Sequence, residues 1–372
     1  MTNIFQKLCV QGVAGLQPYK PGKPLSELAR EFGITDAVKI ASNENPLGVC
    51  AKVKQFLVEN IDDLNRYPDG NGYDLKSALA KHYQMDFNQF TLGNGSNDVL
   101  ELIARAFVSQ YDEVIFSEHA FAVYPLVTQA IGATAVVTKA TNWGNDLSNI
   151  LNAITEKTKL IFIANPNNPT GTWLAEQDLS QFLEKVPDNI IVVLDEAYFE
   201  YASHVDMAIK NYPDGLQWLS KHLNLVVTRT FSKAYALAGL RVGYAMSHPD
   251  FANILNRVRQ PFNVNTMALK AAEIALTDTQ HLQNTIKLNV SGMAYIVSEL
   301  NKMKLHYIPS AGNFISVSLG ASASKIYERL LKFGIIVRSV DNYSMSGYLR
   351  FSIGNADENQ RAMLGLFNSI EK

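Results

Sequence analysis

The chain has 372 residues, of which 47 % are hydrophobic, 10 % are aromatic and 18 % are charged, and its formal net charge is −2. This composition is typical of a globular protein with one or two domains, and without a basic block it argues against nucleic acid or an anionic membrane as a partner. The two cysteines, Cys9 and Cys50, are too few for a disulfide framework or a zinc ligand set, so no metal site is expected.

The first 35 residues are predicted to form an arm, in which Pro18, Pro21 and Pro24 interrupt regular structure. This segment lacks the charged start and the long apolar core of a signal peptide. No apolar run in the chain approaches the roughly 18 residues that a membrane-spanning helix needs. We therefore expect a cytoplasmic protein.

The middle of the chain alternates short apolar runs with longer amphipathic segments, a pattern typical of a parallel sheet buried between helices. The runs predicted as strands are 112–116, 134–138, 159–164, 190–195, 225–230 and 242–247. In such sheets, ligands bind beyond the C-terminal ends of the strands. Polar segments follow three of these strands, at 165–171, 195–198 and 230–233.

The pattern changes after about residue 250, where a mostly helical stretch continues to about 305. Predicted strands at 313–319, 335–338 and 348–353 then alternate with helices near 322–333 and from about 357. We therefore predict an α/β fold with a large, mostly parallel sheet flanked by helices and a smaller α+β C-terminal domain. The predicted bounds are 1–35 for the arm, 36–265 for the large domain and 266–372 for the small domain.

Asp195 ends a fully apolar strand, and a carboxylate there is costly unless a cation pairs with it, although a helix N-cap is a common alternative. Lys233 would usually be a surface lysine. Its neighbours Thr230, Ser232 and Arg241 favour a phosphate cradle beside a partly desolvated lysine, and such a lysine forms Schiff bases.

Two further segments offer polar groups to a ligand. Glycines lead into Ser96 and Asn97 at the start of an amphipathic helix, where free N–H groups bind phosphate unless the helix is simply capped. Asn168, in the turn NPNNPTG (165–171), offers an amide at a strand end. Pyridoxal phosphate would use all of these features, because it needs a lysine, an acid at its ring nitrogen, donors at its phenolic oxygen and a phosphate pocket.

The order of the motifs GSND, NPNNPTG, DEAY and SKAYALAGLRVGY resembles that of the fold-type I pyridoxal-phosphate aminotransferases. The chain is similar in particular to the histidinol-phosphate aminotransferase family. That narrower resemblance depends on ASNENPLG (41–48), NRYPDGNGYDLKSALA (65–80), HAFAVYP (119–125), AGNFI (311–315) and YLRFSIG (348–354). It covers nearly the whole chain.

The resemblance implies that Lys233 forms the Schiff base with pyridoxal 5′-phosphate and moves the substrate proton, and that Asp195 pairs with the ring nitrogen. The other implied cofactor contacts are Ser96, Asn97, Thr230, Ser232 and Arg241 at the phosphate, Asn168 and Tyr198 at the phenolic oxygen, and Phe121 stacked on the ring. Tyr67 is implied to reach the phosphate from the neighbouring subunit, so a homodimer is expected. Many relatives have tyrosine at position 121, and phenylalanine keeps the stacking but loses the hydroxyl.

The implied substrates are L-histidinol phosphate as amino donor and the 2-oxo acid 2-oxoglutarate as acceptor. Arg338 and Arg350, on neighbouring predicted strands, match anchors for an acidic group, and Tyr19 and Asn43 match positions near the substrate. His119 is given no catalytic role. Two alternatives on the same scaffold are an aromatic-amino-acid aminotransferase and a phosphothreonine-type decarboxylase. A cofactor-dependent transcription regulator would need an N-terminal DNA-binding domain, for which about 35 residues before the first motif leave no room.

Overall fold

The fold is described from a computed structural model, which covers residues 4–18, 21–207, 209 and 211–370. The predicted substrate residue Tyr19 lies outside the described residues. The helices are α1 (Ile4–Leu8), α2 (Gln11–Ala14), α3 (Leu25–Phe32), α4 (Ala51–Glu59), α5 (Tyr73–Tyr83), α6 (Ser96–Phe107), α7 (Val123–Ile131), α8 (Leu147–Asn152), α9 (Glu176–Leu183), α10 (Phe199–Ala202), α11 (Pro249–Val258), α12 (Thr266–Thr277), α13 (Thr279–Lys302), α14 (Ala323–Lys332) and α15 (Ala356–Ile370). Among the described residues, no helix has the length and apolar character needed to cross a bilayer.

The strands form one large sheet and two small ones. They are β1 (Val38–Lys39), β2 (Phe90–Gly93), β3 (Glu113–Ser117), β4 (Thr134–Thr138), β5 (Thr158–Ala164), β6 (Ile191–Asp195), β7 (Leu225–Thr230), β8 (Gly243–Met246), β9 (Tyr307–Ile308), β10 (Phe314–Ser318), β11 (Ile335–Ile336), β12 (Arg338–Ser339) and β13 (Tyr348–Ser352). The large sheet has the order β2-β8-β7-β6-β5-β3-β4, and only β8 runs against the others. The predicted, mostly parallel sheet is confirmed.

The central strands are buried on both faces, as continuous apolar runs predict. In β5, Ile161 and Ile163 belong to one apolar cluster, whereas Leu160 and Phe162 belong to a second cluster on the other side. This alternation follows from the period of two in a strand. The expectation of two-sided burial is wrong for β4, an edge strand that is mostly exposed, whereas β2 at the other edge is buried throughout.

The small domain contains an antiparallel sheet of order β12-β13-β10-β9, beside the parallel pair β1–β11. The single strand predicted at 335–338 is wrong, because the chain changes partner at Val337. Residues before it pair with β1 and residues after it pair with β13. Val38 and Ile40, from near the arm, therefore pack in the apolar core of the small domain. Helix α12, by contrast, packs on α4 and α5 of the large domain.

Candidate active site

A cavity of about 230 Å³ lies at the C-terminal ends of β5, β6 and β7, with residues of the small domain along one side. It brings together most of the side chains that the sequence singles out. Those lining it are Asn43, Ser96, Asn97, Phe121, Asn168, Asp195, Tyr198, Thr230, Ser232, Lys233, Arg241, Arg338 and Arg350. Within the described ranges, no group of three or more His, Cys, Asp or Glu side chains has the arrangement of a metal site.

Lys233 reaches into this cavity from the loop that follows β7. Its Nζ donates a hydrogen bond to the carbonyl oxygen of Ser42 at 3.1 Å. Burial lowers the pKa of Lys233 from 10.5 to about 7, and the nearby positive charge of Arg350 adds to this effect. A large fraction of the amine is therefore uncharged near neutral pH, which is the form that attacks a carbonyl carbon.

Asp195, the last residue of β6, is 4 % exposed and is held by two hydroxyl groups. Tyr124 donates its hydroxyl to Oδ2 at 2.8 Å, and Thr228 donates to Oδ1 at 3.0 Å. Burial raises the pKa of Asp195, whereas these two hydrogen bonds oppose the rise. Neither donor is expected from the sequence motifs. Thr228 is the β7 residue in register with Asp195, so strand pairing is the signal that would have found it.

The start of α6 forms an anion cradle. Gly95 precedes the helix with φ +82°, and a Cβ there would lie 2.5 Å from Nη2 of Arg241. A Cβ on Gly243 would lie 2.3 Å from the backbone nitrogen of Ser96. Both glycines are therefore needed for the close approach of β8 and Arg241 to the N–H groups at the helix start, where anions bind.

Hydroxyl groups and a guanidinium complete this cradle. The hydroxyl of Thr230 donates to that of Ser232 at 3.1 Å, and Nη1 of Arg241 donates to the Ser232 oxygen at 3.3 Å. Asn97 lines the cavity one residue further along α6. A dianionic phosphate would receive N–H, O–H and charged donors from these groups at once.

Tyr198 and Asn168 lie on the side of the cavity that faces the small domain. Burial raises the pKa of Tyr198 to about 12, so its phenol remains protonated at neutral pH. Nδ2 of Asn43 donates to the Tyr198 oxygen at 2.8 Å, which leaves the phenol free to donate into the cavity. The side-chain oxygen of Asn168 accepts a hydrogen bond from Arg350.

Arg338 and Arg350 face each other on β12 and β13, as their predicted positions on neighbouring strands require. Both side chains are buried and line the cavity, and Nη2 of Arg350 donates to the carbonyl oxygen of Ala41 at 2.7 Å. Two guanidinium groups on one side of the cavity suit a ligand with two negative charges.

Tyr67 lies outside the cavity. Its side chain is 83 % exposed, and its ring stacks on Phe262 with centroids 4.8 Å apart. Tyr67 is therefore not among the residues that line the cavity of its own chain.

The cavity residues fit pyridoxal 5′-phosphate. The glycine-lined helix start at Ser96 suits its phosphate, and a buried carboxylate held by Tyr124 and Thr228 suits its ring nitrogen. Phe121 presents an aromatic ring, and Lys233 presents an amine of lowered pKa in the same space.

Comparisons with known proteins agree with this chemistry. Residues 35–366 match the family described as aminotransferase class I and II. The chain is 55 % identical over 349 residues, 94 % of each chain, to histidinol-phosphate aminotransferase 1 of Idiomarina loihiensis. It is 52 % identical over 368 residues, 98 % of each chain, to histidinol-phosphate aminotransferase 2 of Pseudomonas fluorescens. The crystal structure of histidinol-phosphate aminotransferase from Sinorhizobium meliloti in complex with pyridoxal 5′-phosphate superposes with a TM-score of 0.87 at 27 % identity, covering 97 % of both chains.

Proposed function

The chain belongs to the aminotransferase class I and II family and, within it, to the histidinol-phosphate aminotransferases, and from this we propose that it transfers the amino group of L-histidinol phosphate to 2-oxoglutarate. The products are imidazole-acetol phosphate and L-glutamate, and the reaction belongs to histidine biosynthesis. The observation that carries the proposal is the single cavity in which Lys233, Asp195 and the pair Arg338 and Arg350 converge.

The cofactor is pyridoxal 5′-phosphate, which supplies an electron sink that stabilises negative charge at the substrate's α-carbon. Lys233 is the residue that binds it covalently and then moves a proton at the substrate. An amine whose burial lowers its pKa to about 7 in the free protein would be suited to accept the α-proton of the substrate and to return it. The same group therefore serves as nucleophile and as base.

The other residues orient the cofactor. Asp195 holds the proton at the ring nitrogen, and its burial makes that ion pair strong. Tyr198 and Asn168 bind the phenolic oxygen, and Phe121 packs on the ring. Ser96, Asn97, Thr230, Ser232 and Arg241 hold the phosphate, as their convergence around the helix start supports.

Arg338 and Arg350 bind the acidic groups of both substrates in turn. The phosphate of histidinol phosphate carries about two negative charges at neutral pH and matches the two facing guanidinium groups. 2-Oxoglutarate also carries two negative charges, so it suits the same pair after the first product leaves. Asn43, beside Tyr198, lies where it would contact the substrate.

We further propose a homodimer with shared active sites, in which Tyr67 binds the cofactor phosphate of the partner subunit. Its exposure beyond its own cavity supports this role. The two cysteines are free, which is compatible with a reducing cytoplasm.

The domain bounds remain a proposal, and the packing of α12 on the large domain favours a boundary between α12 and α13.

Product analysis tests the proposed activity. Purified protein would be incubated with pyridoxal 5′-phosphate, 2-oxoglutarate and one of three donors, namely L-histidinol phosphate, L-phenylalanine or O-phosphothreonine. We expect L-glutamate to form fastest with histidinol phosphate and not to form with Lys233→Ala. Faster glutamate formation with phenylalanine would indicate an aromatic-amino-acid aminotransferase, and release of carbon dioxide from phosphothreonine would indicate a decarboxylase.

A further inference from the structure

Within the segment HAFAVYP (119–125), one buried aromatic side chain contacts two of the groups that surround the cofactor site. We propose that Tyr124 is a positioning residue, whose hydroxyl fixes the Asp195 carboxylate and keeps it ionised for the ring nitrogen of the cofactor. This inference rests on the proposed function, and it concerns how tightly the proton at that nitrogen is held.

The hydrogen bonds of Asp195 define its orientation. Tyr124 donates to Oδ2 at 2.8 Å and Thr228 donates to Oδ1 at 3.0 Å, so each carboxylate oxygen has a hydroxyl partner, and the backbone N–H of Ala197 adds a further donor. Rotation of the carboxylate would therefore break hydrogen bonds to buried groups. A carboxylate oxygen accepts more than one hydrogen bond, so the ring nitrogen still finds an acceptor.

Packing places the Tyr124 ring independently of its hydroxyl. The side chain is 1 % exposed and stacks on Phe162 with centroids 4.5 Å apart and planes 3° apart. Its ring also contacts Phe121, whose ring lies 5.9 Å away at 83°, and Phe116, whose ring lies 6.5 Å away. Because Phe121 lines the cavity, Tyr124 links the proposed stacking residue with the proposed anchor of the ring nitrogen.

The charge state of both groups follows from burial and hydrogen bonding. Burial raises the pKa of Tyr124 well above its ordinary value, so the phenol keeps its proton and remains a donor. A donor to a carboxylate favours the ionised form and opposes the effect of burial on Asp195. Without the hydroxyl, the proton shared between Asp195 and the ring nitrogen would move toward Asp195.

The test compares Tyr124→Phe with a matched control, Tyr83→Phe. The control removes another phenol hydrogen bond, the 2.6 Å contact between Tyr83 and Tyr244, which lies outside the cavity. Each apoprotein would be titrated with pyridoxal 5′-phosphate, and the visible absorbance of the bound cofactor would be followed against pH. Thermal unfolding of each apoprotein would report any general loss of stability.

We expect Tyr124→Phe to raise the Kd for pyridoxal 5′-phosphate about tenfold, the size of a hydrogen bond to a charged group. We also expect the absorbance of the bound cofactor to change with a midpoint at higher pH in this variant. The reason is that a ring nitrogen that holds its proton less firmly withdraws less charge from the group attached to Lys233. Tyr83→Phe should change neither quantity. Should Tyr124→Phe not fold, Thr228→Val applies the same test to the other carboxylate oxygen.

Three outcomes would overturn the inference. The first is a Kd within twofold of the unmodified protein together with an unmoved absorbance midpoint. The second is an equal change in Tyr83→Phe, since the effect would then be one of general stability. The third is failure of the unmodified protein to bind pyridoxal 5′-phosphate, which would overturn the proposed function as well and is thereby distinguishable from the first two.

Discussion

Removal of the positive charge of Arg350 is expected to change how Lys233 responds to pH. The pKa of Lys233 is lowered from 10.5 to about 7, first by burial and then by Arg350. Arg350→Gln removes the second cause only, so the pKa should rise above 7 toward its ordinary value while burial still holds it below 10.5. At pH 7 a smaller fraction of Nζ would then be uncharged and reactive.

The assay is the rate at which apoprotein forms its covalent linkage with pyridoxal 5′-phosphate, followed by rapid mixing between pH 6 and pH 9. In the natural protein the rate should rise with a midpoint near pH 7, because only the uncharged amine reacts. Arg350→Gln should move this midpoint upward. Arg338→Gln is the control, since Arg338 lines the same cavity but is not among the largest contributors to the pKa shift of Lys233. An unmoved midpoint in Arg350→Gln, or an equal movement in both variants, would refute the reasoning.

Three other predictions concern the dimer, the fold and the phosphate cradle. Tyr67→Phe should weaken binding of pyridoxal 5′-phosphate by about 1 kcal/mol, the size of one net hydrogen bond, and unchanged affinity in a titration would argue against the intersubunit contact. Burial raises the pKa of Glu200 from 4.5 to about 7, so the folded state holds a proton that the unfolded state releases, and stability falls as pH rises through this window. At pH 8, Glu200→Gln should therefore unfold at a higher denaturant concentration than the natural protein, and its free energy of unfolding should be larger by at most about 3 kcal/mol. Near pH 4.5 its free energy of unfolding should not be larger. Equal stability of the two proteins at pH 8 would contradict this prediction. Gly243→Ala should weaken cofactor binding more than tenfold, because its Cβ would lie 2.3 Å from the Ser96 nitrogen. Gly239→Ala, whose Cβ would meet no described atom within 4 Å, serves as the control, and equal affinities for the two variants would contradict the cradle.

Much of the fold follows from local sequence signals. The apolar runs that became β5, β6 and β7 are long enough and sufficiently rich in branched residues to predict buried parallel strands. The exposure of β4 could not be predicted in this way, since its sequence TAVVT resembles a buried strand and its exposure depends on which elements cover it in the fold. The change of pairing partner at Val337 could not be predicted from the sequence either, because it depends on which strands lie beside this segment in the fold.

Some residues of the candidate site could likewise be predicted from the sequence, whereas others could not. Lys233 and Asp195 stand in motifs whose residue types already indicate their chemistry. Tyr124 was missed because it lies 71 residues before Asp195 and meets it only after the sheet has formed. Arg338 and Arg350 were predicted on neighbouring strands, but their exact opposition depends on the strand register. Sequence alone therefore indicated the residues expected to contact the cofactor, whereas the two hydroxyl groups that hold Asp195 required the fold.

The central claim is that Lys233 and the arginine pair act together on L-histidinol phosphate. The most direct test is a single-turnover mixture of the cofactor-loaded protein with that donor in the absence of 2-oxoglutarate, followed by visible absorbance. We predict loss of the cofactor's yellow band and formation of one equivalent of imidazole-acetol phosphate per active site, much faster than with L-phenylalanine. A band that persists with histidinol phosphate but disappears with phenylalanine would contradict the account.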